Sequence, residues 1–548
     1  MTYDLLLKNG RIVDGTGMPS FWGDVGIAGG KIAEMGKLTG SATRVIDVQG
    51  QTISPGFIDN HCHFDAQATW DPLCTFACYH GTTTVINGNC SLGLAPARPD
   101  ERYALTSMLS RVESIPLRAL EAGVAWEWET IPEYLDVLDR RLGMNVGALI
   151  GYSAVRRYVM GEDAYTEPNA TPEQLARMKQ IITEGVRAGA VGLSFERNIR
   201  HVDLEGRVTP CNVASWEEIL AVVEALADAG AGAIQFGGGF DTLELERGLF
   251  SQISQISGRP ITNNMGVNDP DEKLAHLEQC WREGARVLPM VGPFIDDPQR
   301  WTLMTSNGFD RAPAWMAITI KPIPERKARF HDPTNREQLR IECEADQDRP
   351  RWETTHIASV VLEKNRGLVG KSIVAIAQEQ GKSPFDAFFD LNLEEDFETM
   401  FYQRTGNGPE VKAPLISSPY TMPGQSDSGA HVSRRCDSHM STYFLSTWVR
   451  DAQVLSLEEG VRKLTYVPAS VFGLHDRGLL RPGLNADVTV FDPDGLQPGE
   501  LDQVADFPAG ATRMRRRPEG VACTIVNGQV LIEEGEHTGA YPGRVARH

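Results

Sequence analysis

His61 and His63 stand two residues apart at the end of an apolar run, GFIDNHCHFDAQ (56–67). Alternate residues of a strand face the same side, so both imidazoles can point to one place, as metal ligands must. Two imidazoles need further donors. The run TTTVINGNCSLG (82–93) carries Cys90 near its end. A buried cysteine is commonly a small core hydrophobe, but beside two histidines its thiolate can ligate Zn²⁺, which accepts mixed N, S and O donors. In GQSDSGAHVSRRCDS (424–438), Asp427 sits in a Ser/Gly-rich turn. Such an acid can be a turn cap; facing the histidines, it can coordinate a metal and take a proton from attacking water. His431, Arg434 and Arg435 follow at once and can hold a substrate oxyanion or carboxylate, although two arginines also suit a solvated surface. His201, in SFERNIRHVDLEG (194–206), is a candidate substrate contact or late ligand, whereas His276 and His475 read as structural.

These residues need a frame that brings distant strand ends together. Four helix-like stretches end at glycine, as helix C-termini do, and lead into short apolar runs: AVGLSF, GAIQFGG, PITNNM and ARVLPMVG. With ISPGFID, TTTVING, NVGALIG and LISSPYT they make eight strand candidates. Eight strands alternating with helices predict an α/β fold, a (β/α)₈ TIM-like barrel, whose active sites gather at the C-terminal ends of the strands. Both chain ends read as short strands, with Asn9-Gly10 and Asn527-Gly528 as hairpin turns. The expected organisation is one small β-sandwich domain from 1–54 and 475–548 on a barrel spanning 55–474. A long insertion around 295–410 would serve as pocket wall, lid or extra helical packing.

The 548 residues carry a formal net charge of −20, which argues against nucleic acid and anionic membrane as partners. No apolar run is long enough for a membrane helix, and the start MTYDLLLKNG is not a signal peptide. Nine cysteines are too sparse for a disulfide framework, so a reducing cytoplasm is expected. The basic run RMRRRP (513–518) reads as a solvated loop. A homo-oligomer is compatible with all of this.

The stretches GFIDNHCHFDAQATWDP, HGTTTVINGNCSLGLAPARP, GYSAVRRYVMG, GAVGLS, GQSDSGAHV and GLLRPGLNADVTVFDP resemble the amidohydrolase superfamily, and within it the D-aminoacylase (N-acyl-D-amino-acid deacylase) branch. The resemblance implies that Cys90 is a metal ligand, replacing the bridging carboxylated lysine of other members; Glu196 is a second candidate for that place. It also exposes departures. Gln235 and Asn263 or Asn264 stand where the branch has histidine ligands, and Tyr152 where it tends to have histidine. Amides ligate zinc poorly. The implied centre is therefore one Zn²⁺ per chain on His61, His63, Cys90 and Asp427, with Asp427 as the catalytic acid–base. Tyr152, His201, Gln235, Asn263, His431 and Arg434 would contact substrate. The implied activity is hydrolysis of the amide of a small N-acyl amino acid. A lactone, cyclic amide or carbamate hydrolase, or a non-catalytic binding protein, fits the same fold.

Overall fold

The alternating apolar residues at the start of the chain form five strands: β1 (Thr2–Ile12), β2 (Phe21–Ala28), β3 (Lys31–Gly36), β4 (Ser41–Asp47) and β5 (Thr52–Pro55). The computed structural model describes residues 2–238, 243–295, 299–304, 306, 308–309, 312–345, 351–403 and 408–548; parts of the expected insertion and the first two residues of the run DTLELERGLF lie outside these. β1 pairs antiparallel with β2, and parallel with β4 and β5 along its two halves. Leu5, Leu7, Val25 and Ile27 turn inward together. Asn9-Gly10 is not a hairpin turn. Both residues lie inside β1, where the pairing with β2 shifts register between Leu7 and Gly10. Asp24 Oδ1 accepts the Asn9 N–H at 2.9 Å, and the left-handed Asn9 makes a bulge that leaves the strand running on.

The centre of the chain supplies β6 (Phe57–Asp59), β7 (Thr82–Asn87), β8 (Asn145–Gly151), β9 (Gly192–Glu196), β10 (Ala233–Gly237) and β11 (Ile261–Asn263), a six-stranded parallel sheet in sequence order. Every residue of these strands is buried, as expected of parallel strands covered on both faces. Single parallel bridges, Ile261 to Val287 and Asn264 to Met290, lead on to β12 (Met290–Val291). An antiparallel ribbon follows, β13 (Gln299–Trp301), β14 (Thr355–Ser359) and β15 (Met400–Gln403), with β15 central. It belongs to a lobe with its own core, including Leu303, Trp315, Phe330, Phe385, Phe388 and Phe401. β16 (Met422–Pro423) pairs parallel with β12, and one bridge, Cys62 to Ser428, leads back toward β6. The described residues thus show a six-stranded sheet, a two-stranded ladder and isolated bridges, not one continuous eight-stranded sheet. The expected eighth strand at LISSPYT is displaced. Its first residues end the helix Pro409–Ser417, and the strand begins only after Pro419, which bars Ser418 from continuing the helix.

The last strands are β17 (Val488–Phe491), β18 (Asp502–Phe507), β19 (Ala511–Arg515), β20 (Val521–Val526), β21 (Gln529–Glu533) and β22 (Glu536–His537). β17 joins β5, so strands from both chain ends share one branched nine-stranded sheet; β18 and β19 form a separate ribbon. Asn527-Gly528, both with positive φ, make the turn between β20 and β21.

Beside the parallel strands, Arg156 is fully buried in the helix Tyr152–Met160 and donates through Nε to Glu218 Oε1 at 2.7 Å. Removing one partner of a buried pair leaves the other charge uncompensated, at about 3–5 kcal/mol. Glu218→Ala is therefore expected to destabilise the protein by that amount, seen as a lower midpoint in thermal unfolding.

Candidate metal centre

Three loops meet at the C-terminal ends of the parallel strands. The loop after β6 carries His61 and His63, fully buried and 1% exposed respectively. The loop after β16 carries Asp427. Asp59 locks the two together: its carboxylate accepts from Ser426 Oγ at 2.7 Å and from Ser428 Oγ at 2.7 Å. The backbone completes the lock, with His63 N–H donating to the Ser428 carbonyl at 2.7 Å and Asp427 N–H to the His61 carbonyl at 3.1 Å. The loop after β7 carries Cys90, whose N–H donates to Gln235 Oε1 at 2.9 Å. Cys90, Asp427 and His431 all take left-handed backbone (φ +54°, +50° and +51°), a strain that functional loops commonly carry.

The donor atoms of His61, His63 and Cys90 lie within 4.8 Å of one another. His61 Nε2 is 3.2 Å from Asp427 Oδ1 and 3.5 Å from Cys90 Sγ, and His63 Nε2 is 3.9 Å from the same Asp427 oxygen. Donors bound tetrahedrally at about 2.0–2.3 Å from one zinc ion lie roughly 3.3–3.7 Å apart. His61, His63 and Cys90 thus form a group able to hold a metal ion, and Asp427 approaches both imidazoles. His63 Nε2 is buried with no hydrogen-bond partner among the described residues, an atom that a cation would satisfy.

Electrostatics favour the same reading. Burial, with His61 close by, pushes the His63 pKa down to about 3, so the ring is neutral and able to ligate at neutral pH. Burial also pushes the Cys90 thiol well above its usual range, and the carboxylates of Glu196 and Glu113 add to this. A bound cation reverses that logic by holding the thiolate. Burial raises Asp427, but the hydrogen bond to His61 and the Arg435 guanidinium outweigh it and hold the carboxyl well below its ordinary value. Arg435 donates to Asp427 Oδ2 at 2.6 Å and is itself held by Asp437 at 2.8 Å.

A cavity of about 300 Å³ opens over these atoms. His63, Cys90, Glu113, Asp427, His431 and Arg434 line it, as do His201 and, from the inserted lobe, Gly308. Arg434 donates to His431 Nδ1 at 2.7 Å, which makes that nitrogen the acceptor and leaves the proton on Nε2. His201 Nδ1 lies 3.4 Å from Glu196 Oε2. Glycine is required beside Glu196: a Cβ at Gly237 would come within 2.3 Å of its Oε2 and 2.7 Å of Cys90 Sγ.

Three expected substrate contacts stand elsewhere. Tyr152 is fully buried with its hydroxyl donating to Glu218 Oε1 at 2.5 Å, so it belongs to the Arg156 cluster and not to the cavity wall. Gln235 is fully buried and spends its Oε1 on the Cys90 backbone. Asn263 lines a separate small cavity with Met265 and Lys273, while its neighbour Asn264 reaches the main one. His475 is exposed, and His276 packs against Cys280 within its own helix. Glu113 was not foreseen. It ends the helix Arg102–Glu113, far from any strand end in sequence, and its only signal is the break at SIP (114–116).

The Amidohydrolase family model matches residues 44–532. An uncharacterised protein of Mycobacterium tuberculosis is 29% identical, covering 99% of this chain and 94% of its own. The D-aminoacylase of Alcaligenes xylosoxydans xylosoxydans is 27% identical, covering 99% and 97%. A crystal structure of D-aminoacylase aligns over 100% of both chains with a TM-score of 0.69 at 25% identity.

The His63 shift has a definite sign in metal-free protein. An unfolded histidine protonates near pH 6.5, but His63 in the fold resists protonation to about pH 3. Between these values the unfolded state binds more protons, so stability falls as pH falls from about 6.5 and levels off near 3. Between pH 7 and 5 this histidine should contribute a loss of up to about 2 kcal/mol. Denaturant midpoints should drop less over that interval in His63→Gln than in the parent.

Proposed function

The chain belongs to the amidohydrolase family, and from that premise we propose that it is a zinc enzyme that hydrolyses the amide bond of a small N-acyl amino acid. The relatives support a metal-dependent hydrolase of carbon–nitrogen bonds. The D-aminoacylase likeness supports the finer substrate class. The observation that carries the reading is the convergence of His61, His63, Cys90 and Asp427, with His63 Nε2 buried and making no hydrogen bond. We also read the eight parallel segments as a (β/α)₈ barrel spanning 55–474, with 1–54 and 475–548 as one β domain. A cytoplasmic setting belongs to the same proposal.

When bound, zinc polarises the scissile carbonyl and lowers the pKa of water. His61, His63, Cys90 and Asp427 Oδ1 would hold it. The Asp427 carboxylate, whose Oδ2 also accepts from Arg435, would take the water proton and return it to the leaving amine. Arg435 fixes that carboxylate in place and keeps it ionised. His431, protonated on Nε2 and neutral because burial, Arg435 and Arg434 press its pKa down, can donate to the developing oxyanion. Arg434 would contact a substrate carboxylate, and His201 would contact substrate from the opposite loop.

Metal analysis of protein purified without added zinc should give close to one ion per chain; two fully occupied positions would overturn the one-metal reading. A screen of N-acyl-D- and N-acyl-L-amino acids, lactones and cyclic amides should show turnover on the first class. Turnover confined to lactones or cyclic amides would move the assignment to those bonds, and metal binding without any turnover would favour a binding protein. On the substrate found, Asp427→Asn should lower kcat by at least about a hundredfold, since an amide cannot take the proton and general acid–base work contributes about 10²–10⁴. Near-normal turnover in a variant that keeps its metal would place the base elsewhere.

A further inference from the structure

The helix Arg102–Glu113 ends in the cavity wall, where Ser114 takes left-handed backbone and turns the chain away. The loop bearing Asp427 fixes that end, because His431 N–H donates to the Glu113 carbonyl at 2.5 Å. The Glu113 carboxylate is therefore delivered with its backbone held. Glu113 is 3% exposed, and among the described residues no lysine or arginine pairs with it. Its oxygens face imidazoles: Oε1 lies 3.6 Å from His63 Nε2, and Oε2 lies 3.7 Å from His431 Nε2. Burying a carboxylate is costly, and the nearby Arg435 guanidinium acts on this one without pairing with it. The atom it faces, His63 Nε2, is itself buried and without a hydrogen-bond partner. One cation between them satisfies both, and 3.6 Å is the separation of two donors on one ion.

We propose that Glu113 is a ligand of the metal centre, giving Oε1 to the ion that His61, His63, Cys90 and Asp427 would hold. The proposal rests on the metal-site reading above and deepens it. Gln235 and Asn263 bring no imidazole, since Gln235 is committed to the Cys90 backbone and Asn263 faces another cavity. A helix end, not a strand end, makes up the donor set.

The test measures zinc affinity by chelator competition, together with the visible spectrum of the Co²⁺-substituted protein. The parent chain, Glu113→Gln, Glu113→Ala and Ser114→Ala are compared. Loss of a supporting residue commonly lowers metal affinity 10–100-fold, so loss of a direct ligand should lower it at least about tenfold. Both Glu113 variants should show that loss and an altered Co²⁺ spectrum, and either one suffices if the other fails to fold. Ser114→Ala, which removes a hydroxyl bonded to Arg434 at 2.9 Å at the same helix end but leaves the carboxylate in place, should keep parental metal affinity. Parental affinity and spectrum in a Glu113 variant would overturn the assignment while leaving the metal site standing. An equal loss in Ser114→Ala would also overturn it, tracing the effect to the helix end. A parent chain that holds no zinc would overturn this proposal and the metal-site reading together.

Discussion

The Asp59 carboxylate, taking hydroxyls from Ser426 and Ser428 in a fully enclosed position, ties the loop after the first parallel strand to the loop after the last. These loops are about 370 residues apart in the chain, so no local preference can align them. The two backbone bonds between His63 and Ser428 and between Asp427 and His61 run in the same place. Without the clamp, His61 and His63 would still share a direction, but Asp427 would have no fixed distance from either. Burial raises the Asp59 pKa to about 6, so the group works at the edge of its own ionisation; the serine hydroxyls and the His61 N–H are what keep a charge tolerable there.

The histidine pair was readable as two imidazoles just past an apolar run, but the strand ends at Asp59 and the loop beyond it, not strand alternation, aims them. Asp427 and Cys90 were readable only as residues at strand ends, and their convergence needed the fold. The parallel strands were visible as apolar runs after glycine-terminated helices. Where the structure differs from the expectation, a competing interaction took the residue. Asn9 is drawn into a bulge by Asp24. The LISS run belongs to a helix stopped by Pro419. Gln235 and Tyr152 are absorbed by partners distant in sequence, Cys90 and Glu218. Glu113 was illegible for a different reason: a helix C-terminus carries no sign of what it will face.

Charge around the cavity is arranged in alternating layers. The carboxylates of Asp427 and Glu113 lie next to the imidazoles, and the guanidinium of Arg435 stands behind Asp427 with Asp437 behind it. The chain is strongly acidic overall, yet this wall offers both signs within hydrogen-bonding distance. A site of this kind suits a ligand that is itself polar.

The inserted lobe keeps its aromatic core apart from the core under the parallel strands, and among the described residues the two share no side chain. It nevertheless reaches the cavity through Gly308. Substitutions inside the lobe are then felt mainly within the lobe, and a change at Gly308 alters the cavity rim without repacking the parallel strands. The rim at Gly308 can thus drift at a different rate from the strand-end loops that supply most of the cavity wall.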